Sequence, residues 1–123
     1  MSNAAPYLAV VDDDAAVRVA LGRLLRIAGY DVVTFESGAE LLELLDRRVP
    51  DCLLLDVHLP GLTGFEVQAR LRARGIERPI VFITASDDAA LAAKAREAGG
   101  VRLLRKPFAN EALLEAVAAA LQD

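Results

Sequence analysis

With 123 residues the chain is expected to form one domain around one hydrophobic core. Hydrophobic residues make up 54% of it, which excludes a disordered acidic tail, and the formal net charge of −4 argues against a nucleic-acid surface, which usually carries a basic face. No apolar run approaches the roughly 20 residues that span a bilayer, and Met1-Ser2-Asn3-Ala4-Ala5-Pro6 lacks the basic and apolar regions of a signal peptide.

Residues 1–6 are read as a disordered or cloning-derived lead. Leu8 to Val11 predicts a first buried strand, which ends in Asp12-Asp13-Asp14. Asp14 is a plausible N-cap for a helix whose apolar face is Val17, Leu21, Leu24, Leu25 and Ala28, with Gly29 as its stop. Asp31 to Phe35 predicts a second strand, with β-branched Val32, Val33 and Thr34. Ser37-Gly38-Ala39-Glu40 has the form of a capping box before a short helix through Leu41, Leu42 and Leu45.

Pro50 then breaks the chain before Cys52-Leu53-Leu54-Leu55-Asp56. Four apolar residues running into one carboxylate, with Pro60-Gly61 beyond, suit a strand buried on both faces that stops at Asp56. Cys52 is the single cysteine, so it forms no internal disulfide; it is read as a packed hydrophobe, and a reducing, cytoplasmic setting follows. Thr63 can cap a helix over Gly64 to Arg74, closed by Gly75. Pro79 to Thr84 predicts a fourth strand. An alanine-rich helix over Asp87 to Ala98, closed by Gly99-Gly100, should follow. Val101 to Leu104 predicts a fifth strand, an edge strand because Arg102 and Arg105 flank it. Asn110 is expected to cap a last helix carrying Leu113, Leu114, Val117 and Leu121.

Strict strand–helix alternation predicts an α/β fold: a doubly wound (βα)5, flavodoxin-like sandwich with a central five-stranded parallel sheet. In the order 2-1-3-4-5 the first and third strands are neighbours, and ligands bind at the carboxyl ends of the strands there. The first strand ends in Asp12 and Asp13, the third in Asp56, the fourth in Thr84, and Lys106-Pro107 follows the fifth. Three carboxylates, one hydroxyl and one ammonium should therefore converge on one edge. Clustered carboxylates need a cation, and a hard divalent ion such as Mg²⁺ suits oxygen ligands. A carboxylate beside such an ion is also a nucleophile toward phosphorus. Taken alone, Asp12 and Asp13 would be helix-start acids, Thr84 a strand residue and Lys106 a surface lysine. Asp14 is assigned that ordinary capping role, and the side chain of His58 that of an exposed neighbour.

The combination Val11-Asp12-Asp13-Asp14, Leu55-Asp56-Val57-His58-Leu59-Pro60-Gly61 with Gly64, Thr84-Ala85 and Lys106-Pro107-Phe108 resembles the receiver domain of two-component response regulators. The resemblance covers about Tyr7 to Leu121, so residues 1–123 are read as a single receiver domain. It implies that Asp56 accepts a phosphoryl group from a phosphohistidine on a sensor kinase. Asp13 and Asp56 would ligate Mg²⁺ directly, Asp12 through water, and the backbone carbonyl of His58 would be a further ligand. Thr84 would bond a phosphoryl oxygen, Lys106 would pair with the phosphorylated Asp56, and the Lys106–Pro107 bond would be cis. Small Ala85 would leave the site accessible. Many members carry Tyr or Phe three residues before the lysine. Here that switch position is Leu103, so coupling is expected through Thr84 to the helix from Asp87 rather than through an aromatic rotamer.

By the same resemblance the last two helices and the fifth strand form the output surface, where a homodimer would assemble. The chain fits either a stand-alone receiver or a fragment that precedes a DNA-binding effector domain, with the fragment preferred, and no membrane contact is expected. Two other chemistries are weighed. In a haloacid-dehalogenase-like phosphatase Asp12 would be the nucleophile and Asp14 the acid, but no acidic pair follows Lys106 and Asp56 has no role. A flavin-nucleotide binder needs a phosphate-cradling loop after the first strand, where this chain places three aspartates. A degenerate, interaction-only receiver is disfavoured because Asp12, Asp13, Asp56, Thr84 and Lys106 are all present.

Overall fold

Side chains alternate across a strand, so each apolar run feeds two cores. The computed structural model describes residues 4–85, 90, 93–94, 97 and 102–122. Five strands, β1 (Tyr7–Val11), β2 (Asp31–Phe35), β3 (Cys52–Asp56), β4 (Ile80–Thr84) and β5 (Arg102–Arg105), form one parallel sheet. Their order is β2-β1-β3-β4-β5. Among the described residues four helices flank it: α1 (Ala15–Ile27), α2 (Gly38–Leu44), α3 (Gly64–Ala73) and α4 (Asn110–Gln122).

Ala9, Val11, Leu53, Leu55, Ile80 and Phe82 point to one face, where they pack with Leu41 and Leu42 of α2 and Phe65, Val67 and Leu71 of α3. Leu8, Val10, Cys52, Leu54, Val81 and Ile83 point to the other, against Leu21 and Leu25 of α1 and Leu113, Ala116, Val117 and Ala120 of α4. Helices thus cover both faces, as the alternation of elements predicts. β3 and β4 are buried at every position, which is why their sequences are continuous apolar runs rather than alternating ones. The expected edge is real: β5 ends the sheet, and both Arg102 and Arg105 are exposed.

Helix starts follow the local chemistry, with two corrections. Asp14 caps α1, its carboxylate accepting from the amides of Ala16 and Val17, and Gly29 follows with φ 100°, a left-handed conformation that favours glycine. Ser37 accepts from the Glu40 amide, but the Glu40 carboxylate accepts from Glu36 rather than from Ser37, so the expected box closes one residue early. The reciprocal box is at α3, between Thr63 and Glu66. Asn110 is not a cap. The Ala109 carbonyl accepts from Leu113, which makes Ala109 the capping position and Asn110 the first helical residue. Among the described residues β5 spans Arg102–Arg105, so it continues one residue past the expected end at Leu104. The predicted helix Asp87–Ala98, with its Gly99-Gly100 stop and Val101, lies outside the described residues apart from helical Ala90, Ala93, Lys94 and Glu97. Met1 to Asn3 also lie outside them. No helix among the described residues is long and apolar enough to cross a membrane.

Cys52 is fully buried, and burial pushes its thiol up to about 12. An unfolded thiol titrates near 8.5. The stability gained by burying the neutral thiol is therefore complete below roughly pH 8.5 and is lost as pH climbs through the folded value. The folded protein at about pH 8.5 should leave a thiol reagent unreacted, whereas one equivalent reacts in denaturing urea. Prompt labelling of folded protein would contradict the packed-core assignment.

Candidate functional site

The register assembles the site. Val11 lies beside Leu55 across β1 and β3, Asp56 beside Ile83 across β3 and β4, and Thr84 beside Arg105 across β4 and β5. The residues that end these strands therefore sit together at the carboxyl edge of the sheet. Asp12, Asp56 and Thr84 are 1%, 6% and 0% exposed, so none of the three is a solvated surface group.

Asp12 and Asp56 are held alike. Asp12 Oδ1 accepts from the Asp14 amide at 2.9 Å, and Asp56 Oδ1 accepts from the His58 amide at 2.9 Å. Each carboxylate spends one oxygen on the turn that ends its strand, an Asx-turn contact. The other oxygen faces the Lys106 ammonium, at 2.9 Å for Asp12 Oδ2 and 3.2 Å for Asp56 Oδ2. Asp13 is exposed, and one oxygen each from Asp12, Asp13 and Asp56 lies within 4.8 Å of the others. Three hard oxygen donors at this spacing fit a divalent cation such as Mg²⁺.

Lys106 reaches inward from the end of β5. Its amide donates to the Thr84 carbonyl at 2.7 Å, and the Lys106–Pro107 bond is cis. Partial burial pulls the ammonium's pKa down, but the hydrogen bond to Asp12 and the charges of Asp56 and Asp12 outweigh it and hold the pKa above the ordinary lysine value. The loop after Asp56 closes when the Gly64 amide donates to the Val57 carbonyl at 3.1 Å. A Cβ on Gly64 would lie 2.6 Å from the Asp56 carbonyl oxygen, so only glycine lets the start of α3 approach the strand end this closely.

Asp12, Asp13, Asp56 and Lys106, expected at one sheet edge, are brought together there by the fold. Thr84 stands on the adjoining strand end, and the His58 side chain points outward, exposed. Leu103 is half-buried opposite Phe82 and packs on the α2–α3 side of the sheet. Further contacts surround the site residues and the core beside them. The guanidinium of Arg18 donates to the Asp12 carbonyl at 2.8 Å. A cation so near a helix N-terminus opposes the macrodipole, and that was the one available cue. Phe65, next to Gly64, packs on Phe82 with ring centroids 4.7 Å apart and the rings tilted by 51°, and the Lys94 ammonium lies 5.1 Å from the centroid of the Phe65 ring. That contact joins residues distant in sequence and leaves no local signal.

A doubly wound sheet of this order, with acidic strand ends around one lysine, defines a receiver-type fold. The family model described as the response regulator receiver domain matches residues 8–118, and the chain belongs to that family. Response regulator protein TodT of Pseudomonas putida is 41% identical over 122 residues, covering 99% of this chain and 54% of TodT. Nodulation protein W of Bradyrhizobium diazoefficiens is 42% identical over 113 residues, covering 92% of this chain and 50% of the relative. The chain thus spans about half the length of the curated relatives it matches. Among solved structures, a response regulator receiver protein from Burkholderia phymatum is 45% identical with a TM-score of 0.85, covering 95% of both chains. Response regulator StyR is 43% identical with a TM-score of 0.84, covering 97% of this chain and 60% of that one. Receiver domains are signalling domains of two-component systems, and the phosphatase reading finds no support. Asp14, its required acid, is committed to capping α1.

Two outcomes test this description. Lys106→Met should lower the urea midpoint at neutral pH, because Asp12 and Asp56 are left facing each other without a cation. Since the ammonium's pKa is raised on folding, its contribution is complete below the unfolded lysine value of about 10.4 and is lost as pH rises through the folded value. The gap to the parent protein should therefore narrow only in strong alkali. Gly64→Ala should cost about 1–3 kcal/mol in urea unfolding, because backbone must move to admit the methyl group; an unchanged midpoint would refute the close-approach argument.

Proposed function

We propose that Asp56 is the phosphoacceptor of this receiver domain, with a sensor histidine kinase as phosphodonor. The observation that carries the proposal is the Lys106 ammonium held between Asp12 and Asp56, at 2.9 and 3.2 Å, inside a three-carboxylate cluster. A carboxylate oxygen of Asp56 forms the new O–P bond as the N–P bond of the donor phosphohistidine breaks and the imidazole leaves with the electron pair.

Asp13 and Asp56 would hold Mg²⁺ directly, Asp12 through water, with the His58 carbonyl as a further ligand. The ion, when bound, offsets the negative charge gathering on the phosphoryl oxygens. Lys106 shifts from bridging two carboxylates to pairing with the phosphorylated Asp56, and the Thr84 hydroxyl bonds a phosphoryl oxygen. The phosphoryl group brings roughly two negative charges while the carboxylate gives up its own. That change biases an equilibrium between conformations that contact the site differently. With Leu103 at the usual aromatic switch position, coupling runs through Thr84 toward the segment after β4 rather than through a ring that swings. Residues 1–123 act as one receiver domain in the cytoplasm. The output is a homodimer through the last two helices and β5, and a DNA-binding effector lies outside this chain. TodT and nodulation protein W, each about twice its length, support a further domain.

The test is intact mass after incubation with Mg²⁺ and acetyl phosphate. One phosphoryl adduct is expected on the parent protein, and none on Asp56→Asn or when Mg²⁺ is withheld. An adduct of equal yield on Asp56→Asn would place the chemistry elsewhere.

A further inference from the structure

We infer that Arg18 is a positioning residue for the acidic site, clamping the Asp12–Asp13 peptide to the end of β2 so that both carboxylates face one cation. The inference rests on the metal reading of Asp12, Asp13 and Asp56 proposed above. Arg18 Nη1 donates to the Asp12 carbonyl at 2.8 Å, and Nη2 lies 3.7 Å from Glu36 Oε1. The Arg18 side chain is only 15% exposed, against 72% for Glu36. Glu36 is itself tied, its amide donating to Glu40 Oε1 at 2.7 Å.

The peptide groups of Asp12 are thus held on both sides. Its amide donates to the Phe35 carbonyl at 3.2 Å, and its carbonyl accepts from Arg18. That carbonyl belongs to the peptide joining Asp12 to Asp13. Its plane sets where the Asp13 side chain begins, and Asp13 is the exposed member of the cluster, least constrained by packing. Arg18 also sits near the start of α1, where a cation opposes the helix dipole. A mostly buried guanidinium in that place needs a compensating role, and the one contact it makes toward the site is the Asp12 carbonyl.

Two roles are separable by sign. A guanidinium acting only as a fixed positive charge repels a divalent cation, so removing it tightens binding. A guanidinium acting as a clamp has the opposite effect, because groups that orient metal ligands typically contribute roughly 10–100-fold in affinity.

Mg²⁺ binding by isothermal titration calorimetry decides between them. Arg18→Met keeps an apolar stem and removes both donors; its dissociation constant should rise about tenfold or more. Arg18→Lys, with the charge and a single donor nitrogen, should recover much of that loss. Acetyl phosphate labelling should show the half-saturating Mg²⁺ concentration rising by the same factor, with the rate at saturating Mg²⁺ retained. A merely structural role would lower the urea midpoint without moving the Mg²⁺ curve. An unchanged or tighter constant in folded Arg18→Met overturns the inference. If Arg18→Met does not fold, Glu36→Gln carries the test, with a loss of about two- to threefold expected from one exposed ion pair and no change overturning it. Failure of the unmutated protein to take up Mg²⁺ would instead overturn the metal reading beneath, and this is seen before any variant is compared.

Discussion

Asp12 and Asp56 leave the two adjoining central strands, β1 and β3, with almost none of their surface in water, and the ammonium of Lys106 stands between them. Much else in the fold follows from that contact. Parallel pairing in register brings residues 12 and 56 to the same level of the sheet, whatever the cost of crowding two anions. An unpaired buried carboxylate costs several kcal/mol even after relaxation. The arrangement holds because each carboxylate accepts from the backbone of the following turn and because β5 delivers a cation. The lysine also ties an edge strand to the centre of the sheet, since its own amide is bound to the end of β4.

The formal charges show why this site suits a cation. Three carboxylates and one ammonium leave a formal sum of −2 within a few ångströms. A divalent ion offsets that sum without any residue having to take up a proton. A monovalent ion or a second lysine would leave the cluster charged, and a neutral ligand would leave it repelling itself. The chemistry of the site thus follows from charge balance at one sheet edge.

How legible this was in the sequence varied with the source of each feature. β3 and β4 were plain because a strand buried on both faces writes itself as an uninterrupted apolar run. Their ends were plain too, since Asp56 and Thr84 interrupt those runs. The end of β5 was placed one residue early because its burial is partial and Arg105 gives no apolar boundary. Asn110 looked like a cap by residue type, but position follows from which carbonyl accepts the first helical bond, and that is Ala109. Glu40 bonded one residue upstream of its expected partner for the same reason: side-chain reach decides between neighbours that sequence treats alike. The contacts of Phe65 with Phe82 and Lys94 were not legible, because they cross between elements that only the folded sheet brings together, whereas Arg18 left one cue, a cation near a helix N-terminus.

The distribution of burial decides where this structure can yield. β1, β3 and β4 are buried almost throughout, between two cores lined by α2 and α3 on one face and by α1 and α4 on the other. Close-packed strands of this kind transmit strain and do not bend. β5 is different, with exposed arginines at both ends and only half-buried leucines between them. Elements with few buried apolar contacts open at the lowest free energy. The residue that balances the charge at Asp56 is thus carried next to a strand with few buried apolar contacts.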